Sequence, residues 1–392
     1  MKTVSAGKLF TPVKVGPMEL KHRVVMSPLT RSRSVQPGDI PGDLMREYYT
    51  QRASEGGFII SEATTISITA RGWYGAPGMY SDGQVAGWKK IVDAVHAKGG
   101  RMFSQLWHTG RSSHVGMTNG AAPVAPSVVP EYYGPKTTAM ASTPAGWFKP
   151  SPHRELDIAE IPGIVGDYRK AAERAKAAGF DGVELHAANG YLPDQFLQDG
   201  SNKRSDAYGG TIENRSRFLL EVVGAMVSVW GGNRVGVRIG PSGRWNEMSD
   251  SNPIALFDYV AKQLNRFELA YLHIIEPRVK GNVLIAEGQG HIATARLREI
   301  FTGTIISAGG FEPDTAEAAV RAGDADLVAF GRYFVANPDL PERIRLGLPL
   351  NAYDRDTFYT FDARGYTDYP FYEQQRRGSS SDPLRQQLRG GA

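Results

Sequence analysis

Cysteine is absent from the 392 residues. That excludes disulfides, iron–sulfur clusters, thiolate zinc sites and a cysteine nucleophile. No run approaches the roughly 18 consecutive apolar residues of a membrane-crossing helix. Residues 1–10 carry no apolar segment of the secretory kind, so a cytoplasmic enzyme is expected, with no membrane partner. No Lys/Arg-rich run occurs. The net charge is +4, and Arg376, Arg377, Arg385 and Arg389 near the C-terminus supply much of the excess. Nucleic acid is therefore not an expected partner, whereas a modest positive balance suits an enzyme whose cofactors carry phosphates. No second His or carboxylate stands at ligand spacing, so no metal is expected.

What is present is a chain with 41% hydrophobic and 22% charged residues, enough for a large core. Short β-branched or apolar runs recur at 23–29, 58–64, 101–107, 182–187, 235–239, 271–275, 304–307 and 327–330. Helical patterns lie between them. Asp157 with Glu160 forms a capping box. Ile161, Ile164, Val165, Tyr168, Ala171, Ala172 and Ala175 then repeat at three or four, and Gly179 ends that helix. Asn252-Pro253 opens another. Eight β-then-α units predict an α/β fold, a (β/α)8 TIM barrel. A doubly wound sheet is the alternative, but no Gly-x-Gly-x-x-Gly follows the first strand. One connection is too long. Residues 109–156, after strand three, are rich in Pro, Gly, Ser and Thr and carry Tyr132, Tyr133, Trp147 and Phe148. A long insertion on that face predicts a lid or pocket wall. The expected domain runs over 1–372, and 373–392 are expected to form a disordered tail.

In such a barrel the C-terminal ends of strands carry function. Strands seven and eight end in Ser307-Ala308-Gly309-Gly310 and Ala329-Phe330-Gly331-Arg332. Glycine amides with an adjacent bidentate cation suit a phosphate. Strand four ends in His186-Ala187-Ala188-Asn189-Gly190-Tyr191. His186 and Asn189 are donors that can converge on one carbonyl or nitro oxygen, and the Tyr191 phenol is an acid at neutral pH. Read alone, the same residues also fit a core histidine with an amide partner and a packed tyrosine. Gln105 on strand three both donates and accepts, which suits a heterocycle edge. Arg238 on strand five can stabilise a ring that becomes anionic on reduction.

The run Met26-Ser27-Pro28-Leu29-Thr30-Arg31 is one of several ordered motifs. Gln105-Leu106-Trp107-His108-Thr109-Gly110-Arg111 and Ala178-Gly179-Phe180-Asp181-Gly182-Val183-Glu184 follow. His186 to Leu192 is next, and then Asn202, Arg204, Asp206, Tyr208-Gly209-Gly210 and Glu213-Asn214-Arg215. Phe330-Gly331-Arg332 and Gly365-Tyr366-Thr367-Asp368-Tyr369-Pro370 close the set. With these, residues 6–370 resemble the old yellow enzyme family, the FMN-dependent ene-reductases. Thr30 places the chain with the branch carrying Thr rather than Cys there, and the oxygen-binding pair is His–Asn rather than His–His.

The resemblance implies non-covalent FMN over the barrel mouth, reduced by NADPH or NADH. It implies that Thr30 meets the flavin O4 region and that Gln105 and Arg238 meet the pyrimidine edge. Pro28 and Ala63 line the ring, and Gly309, Gly310, Gly331 and Arg332 hold the phosphate. His186 and Asn189 bind the substrate oxygen, Tyr191 delivers the proton, and Tyr74, Trp107 and Tyr366 shape the substrate cavity. The partners implied are small activated alkenes, α,β-unsaturated carbonyl or nitro compounds, and the chain is a monomer or homodimer. The alternatives are a nitrate ester or nitroaromatic reductase on the same site, a non-catalytic flavin-binding protein, or a flavin-free lyase. The last lacks a Schiff-base Lys or metal cluster at a strand end.

Overall fold

The computed structural model describes residues 7–280, 283–284 and 293–375. Eight parallel strands close on themselves: β1 (Val24–Met26), β2 (Phe58–Ile60), β3 (Arg101–Trp107), β4 (Gly182–Ala187), β5 (Val235–Ile239), β6 (Tyr271–Ile275), β7 (Ile305–Ala308) and β8 (Leu327–Phe330). β8 pairs back onto β1 and β3 pairs with β4, so no edge is left open. The eight predicted runs are these eight strands, and helices connect them.

Three runs differ in their bounds, the seventh by one residue at each end and the first two for physical reasons. The first run, 23–29, stops pairing at Met26, because Pro28 has no amide to donate to a ladder. The second, 58–64, breaks after Ile60 and resumes as Thr64–Thr65 beside β3. Between them Glu62 turns its carboxylate to the backbone amides of Arg31 (3.0 Å) and Ser32 (3.3 Å), and strand pairing is interrupted there.

Period-two alternation sorts the side chains. Val25, Phe58, Phe103, Tyr271, Ile306 and Ala329 fill the interior, together with Val15, Met18 and Leu20 of an N-terminal hairpin. Val24, Ile59, Val183, Leu185, Leu272 and Val328 face the helices. The same alternation carries Glu184, His186, Arg238 and His273 inward. His186 lies in register beside Arg238, and Arg238 beside His273. The lower barrel is thus apolar and the upper barrel polar.

The helix ends follow the local chemistry. The Asp157–Glu160 capping box precedes Ile161–Ala177, and Gly179 follows it at φ +89°. Asn252 caps Pro253–Leu264 by accepting from the Ala255 amide. The insertion after β3 holds structure of its own. Val124–Ala125 pairs with Arg154–Glu155, and Ala141–Thr143 forms a hairpin with Gly146–Phe148. Among the described residues no helix is long and apolar enough to cross a membrane. Of the tail assigned to 373–392, residues 376–392 lie outside the described residues.

Candidate active site

A cavity of about 1300 Å³, counting its open mouth, lies over the C-terminal ends of the strands. Eleven expected site residues line it: Pro28, Thr30, Gln105, His186, Asn189, Tyr191, Arg238, Gly309, Gly310, Gly331 and Arg332. One end is built from β7 and β8. Gly309 (φ +109°) and Gly310 (φ +68°) adopt conformations that L side chains rarely take. A Cβ on Gly310 would stand 2.7 Å from Leu284 Cδ2. Arg332 follows Gly331, and its Nη1 is buried with no hydrogen-bond partner.

The floor is a buried polar chain. Gln105 Nε2 donates to Glu184 Oε1 at 2.7 Å, and Glu184 Oε2 lies 2.9 Å from His273 Nδ1. A carboxylate oxygen accepts but does not donate, so one N–H of the Gln105 amide is committed to Glu184. Its second N–H and its carbonyl oxygen remain for a ligand. Arg238 is buried beside this chain, and its Nε has no partner. Burial lowers its pKa while the Glu184 charge raises it.

The reacting side is set by a turn after β4. Asn189 (φ +57°) and Gly190 (φ +71°) are both left-handed. Asparagine tolerates this region. Gly190 has no alternative, because a Cβ there would lie 2.7 Å from Asn246 Cβ. The Gly190 amide donates to Asp194 Oδ2 at 2.8 Å, and its carbonyl accepts from Gln195 Nε2 at 2.7 Å. Asn246 Nδ2 donates to the Asn189 carbonyl at 2.9 Å. The turn brings the Tyr191 ring edge-on to His186, with centroids 4.9 Å apart. Burial, helped by Arg238 and His273, drives the His186 pKa well below 6.5. Its imidazole is therefore neutral at pH 7. Burial, with Tyr359 and Tyr132, drives the Tyr191 phenol well above 10, so it keeps its proton.

All three expected wall residues, and Ala63, stand outside the cavity lining. Tyr74 packs edge-on against Phe361 at 5.4 Å, and its neighbour Trp73 lines the cavity instead. Backbone direction in the loop decides which of the two adjacent aromatics faces inward. Tyr366 is fully buried in the core, stacked on Tyr48 at 4.0 Å with the Arg31 and Arg33 guanidiniums 5.1 and 4.6 Å from its ring. Tyr359 occupies the wall in its place. Trp107 and Ala63 do not line the cavity. They form a small buried cluster behind Tyr191, with the Trp107 ring 4.9 Å from the Tyr191 ring.

Sequence reasoning missed Trp73, Trp245, Phe358 and Tyr359. The last two arrive through buried arginines. Arg31 Nε and Arg33 Nη1 both donate to the Phe358 carbonyl, and Arg33 Nη2 to that of Thr357. The aromatic residues at 353, 358 and 359 were the only available signal for this segment.

The sequence matches the NADH:flavin oxidoreductase / NADH oxidase family over residues 8–351. The chain belongs to this family. It is 48% identical to 12-oxophytodienoate reductase 2 of Arabidopsis thaliana over 367 residues, 93% of this chain and 96% of the relative. It is 48% identical to 12-oxophytodienoate reductase 1 of Oryza sativa subsp. japonica over 371 residues, 93% of each. A structure of morphinone reductase in complex with tetrahydroNAD superposes with a TM-score of 0.85 at 50% identity, covering 93% of this chain and 97% of that one. The old yellow enzyme homologue from Zymomonas mobilis gives 0.87 at 41% identity, covering 93% and 99%. The old yellow enzyme resemblance and the barrel both hold, and the protein is an FMN-dependent oxidoreductase that uses a nicotinamide reductant.

The residues present fit FMN. Arg332 Nη1 and Arg238 Nε are buried donors with no partner in the protein. One lines the cavity with the Gly309–Gly310 turn, where a phosphate fits, and the other lines it between His186 and His273, on the floor that Gln105 also lines, where a heterocycle edge fits. Arg332→Ala is expected to weaken FMN retention by about 30-fold, since a desolvated charge-assisted contact contributes about 2 kcal/mol. FMN titration by fluorescence quenching measures this. Retention equal to wild type would place the phosphate elsewhere.

Proposed function

We propose that this protein is an ene-reductase for alkenes conjugated to a carbonyl or nitro group. The observation that carries the reading is the grouping of His186, Asn189 and Tyr191 on one wall of the cavity that Gln105, Arg238 and Arg332 also line. FMN, when bound, would supply hydride chemistry, drawn from NADH or NADPH, toward the alkene β-carbon. Thr30, Gln105 and Arg238 would hold the heterocycle, and Gly309, Gly310, Gly331 and Arg332 its phosphate. His186 and Asn189 donate to the substrate oxygen. Both are neutral donors aimed where negative charge develops, so they act most strongly in the transition state. Tyr191 gives its phenolic proton to the α-carbon. The names of relatives place their activity on 12-oxophytodienoate and morphinone, and this chain's donor pair supports the broader class of activated alkenes. A cytoplasmic location is part of the same proposal.

The test is a visible spectrum of the purified protein followed by one assay with 2-cyclohexenone and NADPH or NADH. A yellow protein releasing about one FMN per chain and consuming the nicotinamide only with the enone is expected. A flavoprotein that reduces no enone or nitroalkene would leave a binding protein. A colourless protein that takes up no FMN would overturn the assignment entirely.

A further inference from the structure

Two aromatic rings of the cavity wall that the reaction itself does not use are joined by a third, from the insertion. Trp73 and Tyr359 both line the cavity, and their ring centroids are 5.0 Å apart. Trp147, from the hairpin in the insertion, packs edge-on against Trp73 at 5.0 Å and lies 6.0 Å from Tyr359. The three rings form a triangle at the mouth. Trp147 is 45% exposed, an unusual amount for tryptophan that already has two aromatic neighbours.

Backbone pairing fixes this position. The Tyr74 amide donates to the Ser142 carbonyl at 3.0 Å, and the Ser142 amide donates to the Gly72 carbonyl at 3.3 Å. The hairpin is thereby stitched to the loop that carries Trp73, and the half-exposed Trp147 is held against the two wall rings.

We propose that Trp147, with Trp73 and Tyr359, forms a subsite for a planar apolar or aromatic ring system on the substrate, remote from its reacting alkene. This rests on the ene-reductase reading and names the substrate class within it. Continuity with the cavity argues for the substrate as occupant, since two of the three rings already face the site. Aromatic rings prefer edge-to-face or offset contact at 4.5–7 Å, and the triangle presents such a face to a ring lying across the mouth. Trp147 is a specificity residue only and plays no part in hydride or proton movement.

N-substituted maleimides separate the subsite from the chemistry. The alkene and both carbonyls stay constant while the nitrogen substituent changes, and a chain without cysteine has no thiol for a maleimide to alkylate. The ratio of kcat/KM for N-(1-naphthyl)maleimide to that for N-methylmaleimide is compared in wild type and Trp147→Ala. One lost ring contact predicts that the ratio falls about three- to ten-fold in Trp147→Ala, through KM, with N-methylmaleimide unchanged. Trp147→Phe should recover most of the loss. An unchanged ratio, or an equal loss for both maleimides, overturns the subsite while leaving the ene-reductase reading intact. Reduction of neither maleimide by wild type overturns that reading, and the subsite with it.

Discussion

Tyr191→Phe is expected to slow enone reduction by up to roughly 10²–10⁴, the range for a deleted general acid. The ring and its packing against Trp107 and His186 remain, and only the transferable proton is lost. Burial holds the wild-type phenol protonated well above pH 10, so it is an acid throughout the working range. Flavin reduction by the nicotinamide needs no acid and should keep its rate. Nitroalkenes should lose less, because their reduced anion is stable enough to leave and protonate in water. Stopped-flow of the two half-reactions decides. If the variant reduces enones at the wild-type rate, or is slowed in flavin reduction instead, Tyr191 is a packing residue and another group supplies the proton.

Removing the oxygen donors should be nearly as costly. His186→Ala and Asn189→Ala are each expected to slow the enone half-reaction by about 10²–10³, the loss seen when one donor to a developing oxyanion is deleted. Reoxidation by dioxygen offers no enolate oxygen to stabilise and should change little. Loss of both rates in parallel would point to a disturbed flavin rather than a missing donor. The pH profile gives an independent check. Burial depresses the His186 pKa well below 6.5 and raises that of Tyr191 well above 10. As pH rises, His186 has therefore lost its extra proton before 6.5, and Tyr191 has not yet lost its own at 10. The wild-type enone half-reaction should be level between those values. A step in the rate between pH 6 and 7 would show that His186 titrates in the working range.

The strand-four motif was readable from its place at a strand end and the donors it carries, and the structure adds the Asn189–Gly190 turn. Neither residue type is decisive alone, but asparagine and glycine tolerate the left-handed backbone that the turn requires. Gly309–Gly310 takes left-handed backbone as well, and the Asp157–Glu160 capping box is a local rule of another kind. Each is a local rule in which residue type and backbone conformation are bound together over two or three positions. Glu184 was not assigned any role from the sequence. A buried carboxylate that commits the Gln105 amide becomes visible only when β3 and β4 lie side by side in register.

The walls were the least legible part. Tyr74 and Trp73 are adjacent aromatics, and Tyr366 and Tyr359 lie seven residues apart on one irregular segment. Composition ranks neither member of a pair above the other. The choice at 359 and 366 follows from Arg31 and Arg33, whose guanidiniums take the carbonyls of Thr357, Phe358 and Gly365 from across the molecule. The sequence by itself determined the eight-unit barrel and the polar residues at strand ends, because periodicity, capping and strand-end position are short-range properties, and the flavin family followed from the resemblance carried by its ordered motifs. Only the tertiary structure decided which aromatics enclose the substrate, since loop direction depends on hydrogen bonds between residues some 325 positions apart.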